Sequence, residues 1–202
     1  ALCRNDGKVF YKNALPNEIP QMAVALLLDE SGSMGSYDRC TYARASAIIL
    51  YDFCQSLHIP ITVYGHSTMH GDVALYSYAE FETIDGNDKY RMMDIAARSD
   101  NRDGAALRYV AEWLDRRPEE VKILILVSDG QPAAPGYYGS AAEEDLRGIR
   151  QEYRRKGVLF IAAAIGEDKQ NIERIYGDAF MDITDLNQLP IKLTAAVKRH
   201  MQ

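Results

Sequence analysis

Asp29-Glu30-Ser31-Gly32-Ser33 sets one carboxylate and two hydroxyls at alternate positions. In a curling loop that spacing turns Asp29, Ser31 and Ser33 toward one point, and Gly32 and Gly35 permit the curl. Carboxylate and hydroxyl oxygens suit a hard divalent cation such as Mg2+, with Mn2+ or Ca2+ as alternatives, better than they suit soft metals. A plain helix-capping loop draws on the same residue types, so this stretch taken alone leaves both readings open. Two more acids stand in comparable settings. Asp103 lies in Asn101-Arg102-Asp103-Gly104 ahead of a helical pattern, and Asp129 lies in Ser128-Asp129-Gly130 directly after an apolar run. Tyr64-Gly65-His66-Ser67 and His70 put a serine beside histidines but lack the G-x-S-x-G elbow of a hydrolase. Gly166-Glu167-Asp168-Lys169 lacks the phosphate-loop pattern, so nucleotide binding by this chain is not expected. Cys3, Cys40 and Cys54 form neither an even set nor a metal spacing, which fits a reducing, cytoplasmic setting.

The elements that must position these residues follow from the apolar pattern. Met22–Leu28 (MAVALLL) is far shorter than the roughly 20 residues of a membrane span and reads as a central strand covered on both faces. Ser36–Leu57 has helical spacing, Ile59–Tyr64 reads as a strand, and Val73–Phe81 reads as an antiparallel edge strand reached through a hairpin-like link. Helices are expected over Asp88–Arg98 and Ala105–Arg116, with the loop Ser99–Gly104 between them. A buried strand over Val121–Val127 leads to Asp129. A charged helix (Ala142–Lys156), a strand (Val158–Ile165), a short helix (Lys169–Tyr176), a short strand (Phe180–Ile183) and a closing helix (Leu186–His200) complete the chain. Met92 and Met93 are expected in the core. Strands alternating with helices give an α/β fold: a doubly wound, mostly parallel sheet with helices on both faces and one antiparallel edge strand. In such a sheet the carboxyl ends of neighbouring strands lie side by side, which brings the three acidic loops together.

The 202 residues suffice for one well-buried domain. Residues 1–20 are expected to form an extended lead, with a short strand around Val9–Tyr11, as the tail of a longer protein; 21–202 form the domain. The 47% apolar and 26% charged content is that of an ordinary globular chain, and a net charge of −6 argues against general nucleic-acid binding.

Asp29-Glu30-Ser31-Gly32-Ser33 after an apolar strand, joined by Val127-Ser128-Asp129-Gly130, resembles the metal-ion-dependent adhesion site of von Willebrand factor type A (VWA) domains, written D-x-S-x-S, Thr, Asp. Asp103-Gly104-Ala105-Ala106-Leu107 resembles the family's Thr-x-x-Ala-Leu with Asp in place of Thr. That exchange, with VALLLDESGSM and DGKVFYK, is similar to a bacterial subgroup found in the cobaltochelatase large subunit and in nitric oxide reductase activation proteins. The resemblance implies a Mg2+ site of Asp29, Ser31, Ser33, Asp103 and Asp129. It also implies a protein-interaction module, non-catalytic by itself, that works beside an AAA+ ATPase of the MoxR or magnesium-chelatase type in metal insertion or enzyme maturation. With three aspartates ionised, a divalent ion leaves the site near −1, which opposes docking of a partner's carboxylate. Glu30, Met34, His66, Gln131, Tyr137 and Tyr138 are the residues expected to face a partner. The alternative from another class is a Mg2+-dependent hydrolase or phosphoryl-transfer enzyme on a similar sheet.

Overall fold

Every residue from Ala23 to Leu28 is apolar and buried, so the first strand, β1 (Met22–Asp29), can only lie where both its faces are covered. The computed structural model describes residues 21–82, 86–130, 132–164, 169–183 and 185–200. After β1 come helix α1 (Arg39–Ser56), strands β2 (Ile61–Met69) and β3 (Asp72–Ala79), and helices α2 (Asp88–Met92) and α3 (Asp103–Asp115). Strand β4 (Val121–Ser128) is followed by a small hairpin of β5 (Ala133–Ala134) and β6 (Tyr137–Tyr138), then α4 (Gly139–Arg155), β7 (Val158–Ala164), α5 (Lys169–Tyr176), β8 (Phe180–Asp182) and α6 (Leu189–His200).

The six-stranded sheet has the order β3-β2-β1-β4-β7-β8, parallel throughout except where β3 runs against β2. The expected α/β architecture is therefore the observed one, antiparallel edge included. Alternation along β1 divides the core. Val24, Leu26 and Leu28 pack beneath α1, α2 and α6, while Ala23, Ala25 and Leu27 face α3, α4 and α5. A two-residue turn at His70 and Gly71, both at positive φ (53° and 92°), closes the β2–β3 hairpin, a backbone shape that suits the right-handed twist of the strands it joins. Among the described residues no helix is long and apolar enough to cross a membrane.

Several boundaries differ from the sequence-based expectation. The helix expected over Asp88–Arg98 stops at Met92 because the following backbone finds distant partners: Arg44 donates to the Ile95 carbonyl (2.7 Å) and the Arg98 N–H donates to the Glu30 carbonyl (2.8 Å). Met92 is in the core as expected, but Met93 is 54% exposed. Helix α1 starts at Arg39 rather than Ser36, since Gly32–Gly35 forms a 3-10 turn and Tyr37 and Asp38 are both left-handed (φ 54° and 58°). Strand β2 runs on to Met69, and this extension carries His66 to the same end of the sheet as Asp29. The strand expected around Val9–Tyr11 lies outside the described residues.

Candidate functional site

Three segments meet at the carboxyl end of β1 and β4. The first, 29–33, leaves β1 and is pinned at once: the Ser31 N–H donates to Asp29 Oδ1 (2.8 Å) and the Gly32 N–H donates to the Ser99 carbonyl (2.6 Å). Ser31 and Ser99 form an isolated parallel bridge, so the second segment, 99–103, is laid against the first. Asn101 is buried and fixed in orientation, because Ala133 N–H donates to its Oδ1 (2.7 Å). Its Nδ2 is thereby turned to Asp29 Oδ2 and Asp103 Oδ2, each at 3.3 Å. The third segment closes the group, with Ser128 Oγ donating to Asp29 Oδ2 (2.8 Å) and Ser33 Oγ donating to Asp129 Oδ1 (3.2 Å).

The hydroxyls of Ser31 and Ser33 are 3.0 Å apart. Two oxygens in adjacent octahedral positions about 2.1 Å from a Mg2+ ion would be separated by about 3 Å. The donor set is all oxygen, and buried Asp103 Oδ1 has no well-formed hydrogen bond among the described residues, only His66 Nε2 against it at 3.3 Å, so a lone pair remains to offer. Among the described residues no three His, Cys, Asp or Glu side chains stand close enough to hold a metal by themselves. An ion here would therefore depend on serine hydroxyls and water as much as on carboxylates. On these grounds the residues fit a hard divalent cation.

Two basic side chains, Arg39 and His66, lie against the carboxylates. Arg39, in the first turn of α1, donates from Nη1 to Asp129 Oδ2 (2.7 Å) and to the Ser33 carbonyl (3.2 Å). His66 Nε2 faces Asp103 Oδ1 at 3.3 Å, fully buried. Burial by itself would lower the His66 pKa, but the Asp103 carboxylate, with Asp29 and Glu30 beyond it, outweighs that and raises it. Asp29 is pushed above the ordinary carboxyl range, first by burial and then by Asp103, against the lowering effect of His66 and of the Ser31 hydrogen bonds.

All five residues expected to hold the ion, Asp29, Ser31, Ser33, Asp103 and Asp129, lie in this group. The expected partner-facing residues divide. Glu30 is fully buried on the opposite side of the strand, accepting from the Tyr78 hydroxyl and from Arg98 Nε, so it faces no partner. Met34 is wholly buried in the core beneath the 3-10 turn, and His66 lies under Asp103 rather than at the surface. Tyr137 is half-buried and donates to Asp145 Oδ2 (2.8 Å); Tyr138 is 68% exposed, and Gln131 lies outside the described residues. Sequence reasoning missed Arg39 and the bridging role of Asn101. Asn101 stood in the quoted N-x-D-G stretch without a task, and Arg39 gives no local signal beyond the need of three buried acids for a counter-charge.

Residues 76–199, more than half of the chain, match the family model described as the VWA domain of the cobalamin biosynthesis protein CobT. The chain belongs to this family. The matched stretch of this VWA domain contains Asp103 and Asp129 but starts beyond Asp29, Ser31 and Ser33. The uncharacterized protein YojO of Bacillus subtilis (strain 168) is 25% identical over 206 residues, which is 95% of this chain and 32% of that protein. Protein NorD of Brucella suis biovar 1 is 33% identical over 95 residues, 46% of this chain and 15% of its own. The VWA domain thus spans about a third or less of the curated relatives it matches. Among solved structures, the vWF domain of the type V pili tip protein Mfa5 from Porphyromonas gingivalis superposes with a TM-score of 0.65 at 11% identity, covering 90% of this chain and 96% of that one. The SpRpn10 VWA domain gives a TM-score of 0.54 at 11% identity, covering 81% of this chain and 87% of the other. Both likenesses are of fold.

Proposed function

We propose that this VWA domain is a Mg2+-dependent protein-interaction module, without catalysis of its own, that docks a partner in an assembly driven by an AAA+ ATPase. The convergence of the Ser31 and Ser33 hydroxyls, at octahedral-edge spacing, on the acids of two other segments carries the reading. Ser31, Ser33 and Asp103 would hold the ion. Asp29 has both oxygens engaged by Ser31 N–H, Asn101 and Ser128, and so acts mainly as the carboxylate that orients the others. Asp129 takes the Ser33 hydroxyl and would complete the site directly or through water. A bound Mg2+ would supply an open coordination position for an acidic group of the partner. The exposed Tyr37 and Tyr138, on two of the surrounding loops, offer aromatic contact area beside it. Membership of the CobT family and the likeness to NorD support a role in metal insertion or enzyme maturation. The hydrolase alternative is weakened by the engagement of Asp29, which leaves no free nucleophilic carboxylate at the end of β1.

The test is calorimetric titration of Mg2+ and Mn2+ into metal-free protein, with Asp29→Ala and Asp129→Ala alongside. One-site saturable binding, lost in both variants, is expected; heat-silent titration at millimolar metal with folded protein would overturn the metal reading. A pull-down of the AAA+ partner with and without chelator tests the docking role, and a phosphatase assay with a generic substrate is expected to stay flat.

A further inference from the structure

Granting the metal-dependent reading, we infer that Arg39 is the built-in counter-charge of the site and limits how tightly the site holds a cation. The position of this residue is imposed by its surroundings. Two consecutive left-handed residues, Tyr37 and Asp38, turn the chain so that α1 begins at Arg39 with its guanidinium on the acidic group, a backbone conformation that non-glycine residues adopt only where the surrounding structure enforces it. Arg39 is 7% exposed, and the Tyr37 ring lies 5.4 Å from its guanidinium carbon. Nη1 reaches both Asp129 Oδ2 and the Ser33 carbonyl, while Ser33 Oγ bonds the other Asp129 oxygen. Arg39, Ser33 and Asp129 thus close a ring at the mouth of the site, and the carboxylate best placed to join Ser33 on an ion is shared with a permanent cation.

Three ionised aspartates with a divalent ion leave −1, and the fixed charge of the Arg39 guanidinium, held on Asp129, offsets it whatever the protonation of His66. Asp103, which adds a charge where the family's Thr adds none, is therefore offset by Arg39 across the site. With that charge offset the loaded site no longer repels an acidic partner group, and the cation is held less tightly than it would be without the guanidinium on Asp129. A guanidinium suits this task because it carries several N–H donors beside its charge, so that Nη1 alone serves both a carboxylate and a carbonyl.

The experiment is Mg2+ titration calorimetry on wild type, Arg39→Met and Arg39→Lys, with thermal unfolding of each in chelator and in saturating Mg2+. Arg39→Met is expected to bind Mg2+ about tenfold or more tightly, since a unit charge within several ångströms of a divalent ion is worth that much even at high effective dielectric. Its metal-free Tm should fall and its Mg2+-induced rise should grow; Arg39→Lys, which keeps the charge, should remain near wild type in affinity. If Arg39 were only a strut for Ser33, both substitutions would weaken Mg2+ binding. Wild-type binding that Arg39→Met leaves unchanged or weakens overturns the inference alone, whereas silence in both wild type and Arg39→Met, each folded by circular dichroism, overturns the metal reading and the inference with it.

Discussion

Gly65 offers the sharpest test of how the site is held. It lies on β2 beside β1, and a Cβ built there would stand 1.9 Å from Glu30 Oε1, 2.6 Å from Glu30 Cδ and 3.0 Å from the Tyr78 ring. Glu30 cannot swing away cheaply. It is fully buried, and its two oxygens accept from the Tyr78 hydroxyl and Arg98 Nε. Gly65→Ala must therefore shift β2 or expel the carboxylate from its partners. Breaking a buried charge pair costs about 3–5 kcal/mol, and overpacking costs about 1–3 kcal/mol. Arg98 is one-third exposed, which places the loss toward the lower end, and alanine returns roughly 0.5–1 kcal/mol through reduced chain entropy. A net loss of about 2–3 kcal/mol is expected by urea unfolding, or a Tm drop of roughly 5–10 °C for a chain of this size. Because Arg98 leads directly into Ser99–Asp103, Mg2+ affinity should fall as well. Glu30→Ala removes the obstacle, so the double variant should be no less stable than Glu30→Ala alone, a coupling that a double-mutant cycle reads directly. A loss under 0.5 kcal/mol for Gly65→Ala, or strict additivity in the cycle, would refute the reasoning.

Asn101→Asp replaces the amide between Asp29 and Asp103 with a further carboxylate; a stability loss of about 3 kcal/mol is expected by urea unfolding, shrinking in saturating Mg2+, and a loss below 1 kcal/mol would show that the amide is not the bridge. Gly104→Ala sets two effects against each other: alanine favours a helix by about 1 kcal/mol, but its Cβ would meet Tyr137 Oη at 2.3 Å and Asp145 Oδ2 at 2.4 Å. A net loss of stability on thermal unfolding is expected, and a gain would mean that the β5–β6 hairpin yields freely. Glu143 has its carboxyl held below the usual range by Arg174, with Arg147 assisting. Its depressed folded pKa contributes stability above the unfolded value near 4.5, which is lost as pH falls through the folded pKa. Glu143→Gln should therefore cost up to about 1 kcal/mol at pH 7, given the exposure of both arginines, and the gap from wild type should close below pH 4; a gap unchanged at pH 3 would refute the assignment.

Much of this was legible from residue order. The apolar run of β1, the acids after two apolar strands and the β-rich edge strand were enough to bring Asp29, Ser31, Ser33 and Asp129 to one end of the sheet, because sheet topology converts strand ends into neighbours whatever their separation in sequence; Asp103, which opens a helix, entered the ion set through the family resemblance. Facing direction was not legible. Glu30 sits between Asp29 and Ser31 yet turns to the other side of β1, and Met34 falls within the motif yet fills the core. Adjacency in a motif predicts proximity but not exposure, which depends on the twist of a loop whose hydrogen bonds go to residues about 70 positions away. Met93 and the short α2 were missed for a related reason: helical spacing continues through 98, but tertiary partners claim the backbone first.

The bond from Ser128 to Asp29 spans 99 residues, and β1 pairs with β4 from Met22↔Val121 onward. Segment 29–33 carries Asp29, Ser31 and Ser33, but Asp103 and Asp129 join it from about 70 and 100 residues away, so the site is complete only when the central strands have found each other. Pairings of such separation form late and slowly. If the ion is bound as proposed, it has nothing to grip in the unfolded chain or in an early transition state. Mg2+ should then leave the refolding arm of a chevron plot unmoved and slow the unfolding arm. The domain would acquire kinetic persistence from its ion, staying folded longer while loaded without folding any faster.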